Sequence, residues 1–153
     1  MYISTNLTKK HILLDLEASN KEEVLTILAQ KASSLIEGVS YEDILSLLKE
    51  REELGSTAIG GGVAIPHVKI EGLEDIVIIV AISSAGVPFD SMDGEPVGVF
   101  FLLLAPDDAT IDYLKTLANI SRLVKKEGLL KALLDAHDVE KVLNIIKEFE
   151  FQR

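Results

Sequence analysis

His67 is the residue whose type and setting best suit nucleophilic chemistry. It ends the segment Gly60–His67, which reads GGGVAIPH, so a glycine run and a restraining proline precede the imidazole. The neutral ring predominates at neutral pH, because the ordinary pKa of histidine is about 6.5. Its free nitrogen lone pair can attack phosphorus and form a phosphoimidazole. The segment therefore predicts a histidine that takes up an anionic group and hands it on.

Arg51 is the residue expected to hold such a group, because it lies sixteen positions before His67 and can return across a fold to meet it. A guanidinium fork donates two hydrogen bonds to one phosphate. The hydroxyls of Ser56 and Thr57 can add further hydrogen bonds, and Lys69 can add positive charge. In phosphoryl transfer the protein supplies mainly position and charge stabilisation. We therefore expect Arg51 to stabilise the phosphate and the other three residues to assist.

These residues also have ordinary structural interpretations. A lone histidine can be a loop residue whose ring bonds a backbone carbonyl. Arg51 can be an exposed helix residue that pairs with Glu50 or Glu53, which would contribute little to stability. Residue types and spacing leave both interpretations open, and for an isolated histidine they favour the structural one.

Composition limits the classes of protein to which the chain can belong. Its 153 residues, 48% of them hydrophobic, fit one domain over residues 1–153. The absence of cysteine excludes disulfides, thiolate metal sites and thiol nucleophiles. The formal charge of −10, from 25 acidic and 15 basic residues, argues against nonspecific nucleic-acid binding, which needs clustered Lys and Arg.

The longest apolar runs are too short to span a membrane. They are Ile76–Ile82 and Val99–Ala105, far short of the ~20 residues that a transmembrane helix needs. The first residues lack the basic region and apolar core of a signal peptide. We therefore expect a protein of the cytoplasm that is not embedded in a membrane.

Helices are predicted on both sides of a cluster of strands. Asn20 and Ser40 are expected to cap helices over about 21–37 and 41–53, and Glu23 has the spacing of a capping box. Helical periodicity returns at about 110–126, 129–136 and 139–149. The aspartates just before the third helix, Asp107 and Asp108, are expected to cap it rather than to bind a cation.

The middle of the chain predicts strands. Short strands are expected over 12–16 and 63–65, and longer ones over 76–83 and 97–104, with a hairpin turn at Asp93-Gly94. Strands that are apolar on both faces need helices on both sides. The order of elements predicts an α/β fold with a mixed parallel and antiparallel sheet flanked by helices on both sides.

The segment Arg51–His67 reads REELGSTAIGGGVAIPH and resembles the signature of the IIA domains of the bacterial phosphotransferase system. The match is closest to the fructose/mannitol family, which includes the nitrogen-regulatory IIA proteins, and it extends to chain length and order of elements. The resemblance implies that the histidine-containing phosphocarrier protein phosphorylates His67 and that Arg51 supports the phosphohistidine. It further implies that the phosphoryl group passes from His67 to a IIB domain in sugar uptake, or that phosphorylated His67 serves as a regulatory signal. Neither role needs a metal or a cofactor.

Tyr113 departs from the pattern of that family. Many members have a second histidine near the start of the following helix, and alignment on Leu117–Arg122 places Tyr113 at that position. Tyrosine can donate a hydrogen bond to a phosphate, but it carries no positive charge at neutral pH. We therefore expect phosphate acceptance to persist and onward transfer to a sugar-specific partner to be slower or absent.

Two other functions stay open at this point. The first is a regulatory binding module that controls a transporter, a kinase or a transcription factor, and Tyr113 slightly favours it. The second is a small hydrolase with His67 as base, which no serine elbow, acid pair or metal motif supports. A protein-to-protein relay also needs an apolar docking surface, for which Ile59, Val63 and Val87 are the candidates. His11 and His137 are expected to be structural or surface residues.

Overall fold

The computed structural model describes residues 2–152. Six strands form one mixed sheet in the order β1-β5-β6-β3-β2, and β4 also pairs with β6. The strands are β1 (Ile12–Leu13), β2 (Ala58–Gly60), β3 (Val63–Ala64), β4 (His67–Ile70), β5 (Val77–Val87) and β6 (Val97–Pro106). The pairs β1–β5, β3–β6 and β4–β6 are parallel, whereas β2–β3 and β5–β6 are antiparallel.

Five α-helices lie within residues 2–152 and cover the sheet. They are α1 (Lys21–Leu35), α2 (Tyr41–Glu53), α3 (Thr110–Val124), α4 (Leu129–Leu134) and α5 (Val139–Glu150). Two short 3₁₀ turns, Ile3–Asn6 and Lys9–His11, precede the first strand. No helix within residues 2–152 has both the length and the apolar character needed to cross a bilayer.

The predicted helix starts of α1 and α2 are confirmed, because capping depends on local sequence. The Asn20 side chain accepts a hydrogen bond from the Glu23 N–H at 2.9 Å, and Ser40 Oγ accepts one from the Asp43 N–H at 3.2 Å. The Glu23 carboxylate in turn accepts from the Ser19 N–H at 2.7 Å. These bonds satisfy donors that a helix start would otherwise leave unpaired.

Strand β6 is the centre of the fold, and all ten of its residues are buried. Alternate side chains enter two separate core layers, as the period of two in a strand requires. Phe101 and Leu103 face the layer that includes α3, α4 and α5, whereas Phe100 and Leu102 face the layer that includes α1 and α2. The predicted mixed sheet with helices on both sides is therefore confirmed.

Several local predictions differ from the structure. Strands β2 and β4 were not predicted, because each is too short to show a periodic pattern. Strand β2 pairs with the neighbouring β3, whereas β4 pairs with β6, which is distant in sequence. The helix α3 is capped by Ala109 without a side-chain bond, so the prediction that Asp107 and Asp108 cap it is wrong. Val63 and Val87 are 5% and 0% exposed, so they belong to the core and offer no docking surface.

Candidate functional site

The central strand fixes the position of His67. Strands β3 and β4 both run parallel to β6, and Pro66 joins them while its carbonyl accepts a hydrogen bond from the Leu103 N–H at 2.9 Å. His67 is the first residue of β4 and pairs directly with Leu103, which is fully buried. His67 therefore stands at the start of a strand, whereas its structural interpretation from the sequence was a loop residue.

One hydrogen bond determines which nitrogen of His67 is free to react. The ring Nδ1 lies 2.6 Å from the carbonyl oxygen of Ile65. Because a carbonyl can only accept, Nδ1 carries the proton in the neutral ring and Nε2 keeps its lone pair. The structural interpretation of His67 expected its ring to bond a backbone carbonyl, and that bond is present. The same bond leaves Nε2 as the nitrogen that can act as a nucleophile.

The surroundings keep His67 neutral. Burial lowers the pKa of His67 from its ordinary 6.5, and the nearby charge of Arg51 lowers it further. The hydrogen bond to Ile65 and the negative charge of Glu52 act in the opposite direction without reversing the shift. The nucleophilic form therefore predominates at neutral pH and persists into mildly acidic solution.

His67 opens into a groove of about 480 Å³ where α2, β4 and α3 meet. The groove brings together the predicted phosphoacceptor His67, the predicted phosphate ligand Arg51 and the aligned residue Tyr113. The ring centroids of His67 and Tyr113 are 6.0 Å apart. The remaining residues of the lining are Leu47, Glu50, Glu53, Leu54, Val68 and Lys69.

Arg51 lies in the last turn of α2. One guanidinium nitrogen, Nη1, donates to the Gly55 carbonyl at 2.9 Å, which fixes the side chain at the helix end and uses one of five N–H donors. Its charge lowers the pKa of His67, after the larger effect of burial. Burial raises the pKa of Tyr113 and Arg51 opposes that rise, so the guanidinium acts on both rings.

Lys69 supplies a second positive charge to the groove. It lies two residues after His67 on β4, so both side chains leave the same face of the strand. Its Nζ donates to Thr110 Oγ1 at 3.2 Å and lies 6.0 Å from the centroid of the Tyr113 ring. The lining also carries the carboxylates of Glu50 and Glu53, so the charges of the whole groove balance. An anion is therefore favoured only at a position closer to Arg51 and Lys69 than to the two glutamates.

The hydroxyls of Ser56 and Thr57 are engaged elsewhere. Ser56 Oγ donates to the Phe89 carbonyl at 2.7 Å, and Thr57 Oγ1 donates to the Glu52 carboxylate. Neither residue lines the groove. The sequence-based expectation that they assist phosphate binding stays a prediction, and their contacts here are those of a scaffold.

The glycine run serves the turn between β2 and β3. Gly60, Gly61 and Gly62 all have positive φ, between 65° and 89°, which glycine adopts at little cost. The Gly61 N–H donates to the Asp93 carboxylate at 2.9 Å, so the run lies against the β5–β6 turn. It shapes the path that leads into β3 and β4, and the residues that line the groove come from other segments.

An exposed apolar rim near the groove was not foreseen in the sequence. Leu54 lines the groove and is 85% exposed, and Ile111 and Leu114 on either side of Tyr113 are 70% and 56% exposed. In the sequence, Ile111 and Leu114 contributed to the helical periodicity that predicted α3. Periodicity alone does not show whether such apolar residues are buried in the core or exposed for docking. Ile59, a predicted docking residue, is 47% exposed.

Among the described residues 2–152, no group of three or more His, Asp or Glu side chains is arranged to hold a metal ion. The other two histidines lie outside the groove. The ring of His11 accepts from the Thr8 N–H at 3.0 Å and so stabilises a 3₁₀ turn, and His137 is exposed.

A family model described as "Phosphoenolpyruvate-dependent sugar phosphotransferase system, EIIA 2" matches residues 5–149. A nitrogen regulatory protein of Bradyrhizobium diazoefficiens is 39% identical over 146 residues, which cover 95% of each chain. The fructose-specific EIIABC component of Bacillus subtilis is 33% identical over 98% of this chain, which spans 24% of that longer protein. The crystal structure of the nitrogen regulatory protein IIA-Ntr from Neisseria meningitidis has a TM-score of 0.88 at 30% identity, covering 94% of this chain and 98% of that one.

Proposed function

Because the chain belongs to the EIIA 2 family of the phosphoenolpyruvate-dependent sugar phosphotransferase system, we propose that it is a phosphotransferase component that carries a phosphoryl group on His67. The donor is the histidine-containing phosphocarrier protein. We further propose that residues 1–153 act as one EIIA domain in the cytoplasm. No metal or cofactor is required, because donor and acceptor are both protein side chains.

The observation that carries the proposal is the hydrogen bond from Nδ1 of His67 to the Ile65 carbonyl. It places the lone pair on Nε2, in a ring whose pKa is lowered by burial. In the transfer, Nε2 forms a bond to phosphorus while the bond between phosphorus and the donor imidazole breaks. The departing electron pair stays on the donor nitrogen. Nδ1 keeps its proton throughout, so the phosphorylated ring is cationic and still bonds Ile65.

Arg51 and Lys69 are the cations that would offset the charge of the moving phosphoryl group. Its three equatorial oxygens carry the charge, so donors and cations placed beforehand lower the barrier. Arg51 offers a planar fork, whereas Lys69 offers a single ammonium held by Thr110. Tyr113 adds an uncharged hydroxyl, and the proposed assistance of Ser56 and Thr57 is indirect, through the scaffold.

The apolar rim supports docking of protein partners. Leu54 is large, exposed and part of the groove lining, and Ile111 and Leu114 are large, exposed residues of α3, the helix that contributes Tyr113 to the lining. Buried apolar anchors at the centre of an interface carry much of its binding energy. The same surface would receive the phosphocarrier protein and then a IIB domain, because both must reach Nε2 of His67.

A second function is favoured by a specific observation. The chain is 39% identical over nearly its full length to a nitrogen regulatory protein, and Tyr113 stands where many relatives have histidine. In this alternative the phosphorylation state of His67 controls binding to a transporter, kinase or transcription factor. Phosphate acceptance is common to both functions, and they differ in the fate of the phosphoryl group.

Phosphorylation by a reconstituted relay tests the shared step. The protein is incubated with phosphoenolpyruvate, the kinase of the relay and the phosphocarrier protein. Wild type is expected to gain one acid-labile phosphate, and His67→Ala none. Equal labelling of the two proteins, or no labelling of folded wild type, would contradict the proposal.

Partner capture separates transport from regulation. Purified IIB domains and candidate regulatory targets are tested against wild type, His67→Asp and His67→Ala. A transport component hands its phosphate to a IIB domain, whereas a regulator binds a target with an affinity that differs between His67→Asp and His67→Ala. Capture that is independent of the charge at position 67, with no transfer, would argue against both functions.

A further inference from the structure

Glu52 is a charged residue whose burial the proposed reaction does not explain. It lies in the last turn of α2, beside Arg51, and its side chain is 6% exposed. One carboxylate oxygen, Oε1, lies 2.8 Å from Nζ of Lys21, at the start of α1. A carboxylate in such a place needs paired charge and hydrogen bonds, or its burial would be costly.

The hydrogen bonds of Glu52 lead to the reactive ring. Its two oxygens accept from the N–H of Thr57, at 3.0 Å, and from the hydroxyl of the same residue. The Thr57 carbonyl accepts from the Ile65 N–H at 3.0 Å. The Ile65 carbonyl accepts from His67 Nδ1 at 2.6 Å. Three steps of hydrogen bonding, linked through the backbone of Thr57 and Ile65, thus join Glu52 to the nitrogen that must keep its proton.

We propose that Glu52 is a positioning residue that holds the Ile65 peptide in place and thereby keeps His67 as the tautomer with Nδ1 protonated and Nε2 free. The proposal rests on the phosphoacceptor role of His67 proposed above. A groove that lost this constraint would let the imidazole rotate or exchange tautomers, and part of the population would present a protonated Nε2 to the donor. That part cannot accept phosphate.

The charge of Glu52 also suits the product. The phosphorylated ring keeps the Nδ1 proton and is cationic, and a buried carboxylate nearby favours that charge. In the unmodified ring, burial and the charge of Arg51 lower the pKa of His67, and the charge of Glu52 raises it. The carboxylate therefore stabilises positive charge on this imidazole without touching it.

A plain structural role is the competing explanation, since Glu52 and Lys21 join α1 to α2. A second ion pair between the same helices provides a matched control: Lys49 Nζ lies 2.7 Å from Glu22 Oε1, and this pair is exposed. Glu22→Gln removes a bridge between the helices without touching the path to His67. Glu52→Gln keeps the shape of the side chain but places an NH₂ group against one of the two Thr57 donors.

The deciding measurement is the pair of ¹⁵N chemical shifts of the His67 ring in the unphosphorylated protein, above its titration range. Wild type and Glu22→Gln are expected to show a protonated Nδ1 and an unprotonated Nε2. Glu52→Gln is expected to show averaged shifts of mixed tautomers. Its maximal phosphorylation rate should fall at least about tenfold with little change in KM, since a misplacement of ~1 Å can cost ~100-fold.

An unchanged tautomer in folded Glu52→Gln would overturn the proposal. If Glu52→Gln does not fold, Glu52→Asp decides, because it keeps the charge but draws the carboxylate back from both Thr57 donors: mixed tautomers support the proposal and an unchanged tautomer overturns it. The ring shifts need no donor protein. If wild type took no phosphate, the proposed function would fail while the shifts still decided the role of Glu52.

Discussion

The rings of His67 and Tyr113 face each other across the groove, with centroids 6.0 Å apart and planes inclined by 48°. Burial raises the pKa of Tyr113, so its hydroxyl stays protonated at neutral pH and offers a neutral donor. We therefore expect Tyr113→His to speed transfer from phosphorylated protein to a IIB domain about five- to tenfold at a pH low enough to protonate the new imidazole, since a charged donor adds about 1 kcal/mol.

The rate of phosphate acceptance should change much less in Tyr113→His than the rate of onward transfer, because the nucleophile is unchanged. Tyr113→Phe, which lacks the hydroxyl, serves as the comparison. Rapid-quench measurement of the two half-reactions separates them. Equal rates of onward transfer in wild type and Tyr113→His would show that charge at position 113 does not limit transfer.

Arg51 should contribute mainly to the rate. We expect Arg51→Gln to slow phosphorylation of His67 by roughly 100-fold, the usual cost of losing a placed donor in the transition state. Arg51→Lys keeps the charge but lacks the guanidinium fork, so its phosphorylation rate should lie between those of wild type and Arg51→Gln. Arg122→Gln, at an arginine on α3 outside the groove lining, is the control and should match wild type. If Arg51→Gln lowered thermal stability but left the phosphorylation rate unchanged, Arg51 would not be the residue that stabilises the phosphate.

The pH dependence of phosphate acceptance follows from the lowered pKa of His67. In the proposed transfer the neutral ring is the nucleophile, so the midpoint at which acceptance declines on acidification should lie below the ordinary histidine value of about 6.5. Arg51→Gln removes a charge that lowers this pKa, so the midpoint should move up. NMR titration of the His67 ring, with initial rates over the same pH range, checks both statements; a wild-type midpoint above 6.5 would contradict them.

Leu54 should act in docking. It lines the groove and is 85% exposed, so Leu54→Glu should raise the KM for the phosphocarrier protein about five- to tenfold and leave the maximal rate nearly unchanged. Met92→Glu adds the same charge at a fully exposed residue in the β5–β6 turn, outside the groove lining, and should have no effect. Equal effects of the two substitutions would point to general repulsion instead of docking.

The sequence predicts best those features that depend on neighbours along the chain. The caps at Asn20 and Ser40 need only the next three residues, and both were foreseen. The long strand β6 was recognised for the same reason, since its apolar residues follow one another along the chain. The segment proposed to carry the reaction was recognisable because Arg51 and His67 lie in one continuous motif.

Features that depend on distant pairing were not predictable in this way. The strand that begins at His67 exists because it pairs with Leu103 in β6, and a four-residue run gives no periodic signal of its own. Glu52, where the path to His67 begins, is paired with Lys21, 31 positions before it. The path then passes through backbone groups that leave no trace in residue types. Val63 appeared suitable for docking only because apolar character does not reveal burial.

Acceptance of the phosphoryl group by Nε2 of His67 can be observed at the bond itself. The experiment is ¹⁵N and ³¹P NMR of protein phosphorylated from phosphoenolpyruvate through the phosphocarrier protein. We expect one phosphorus coupled to Nε2 of His67, with Nδ1 still protonated and bonded to the Ile65 carbonyl. Coupling to Nδ1, phosphate on another residue, or no phosphate on the folded protein would contradict this assignment.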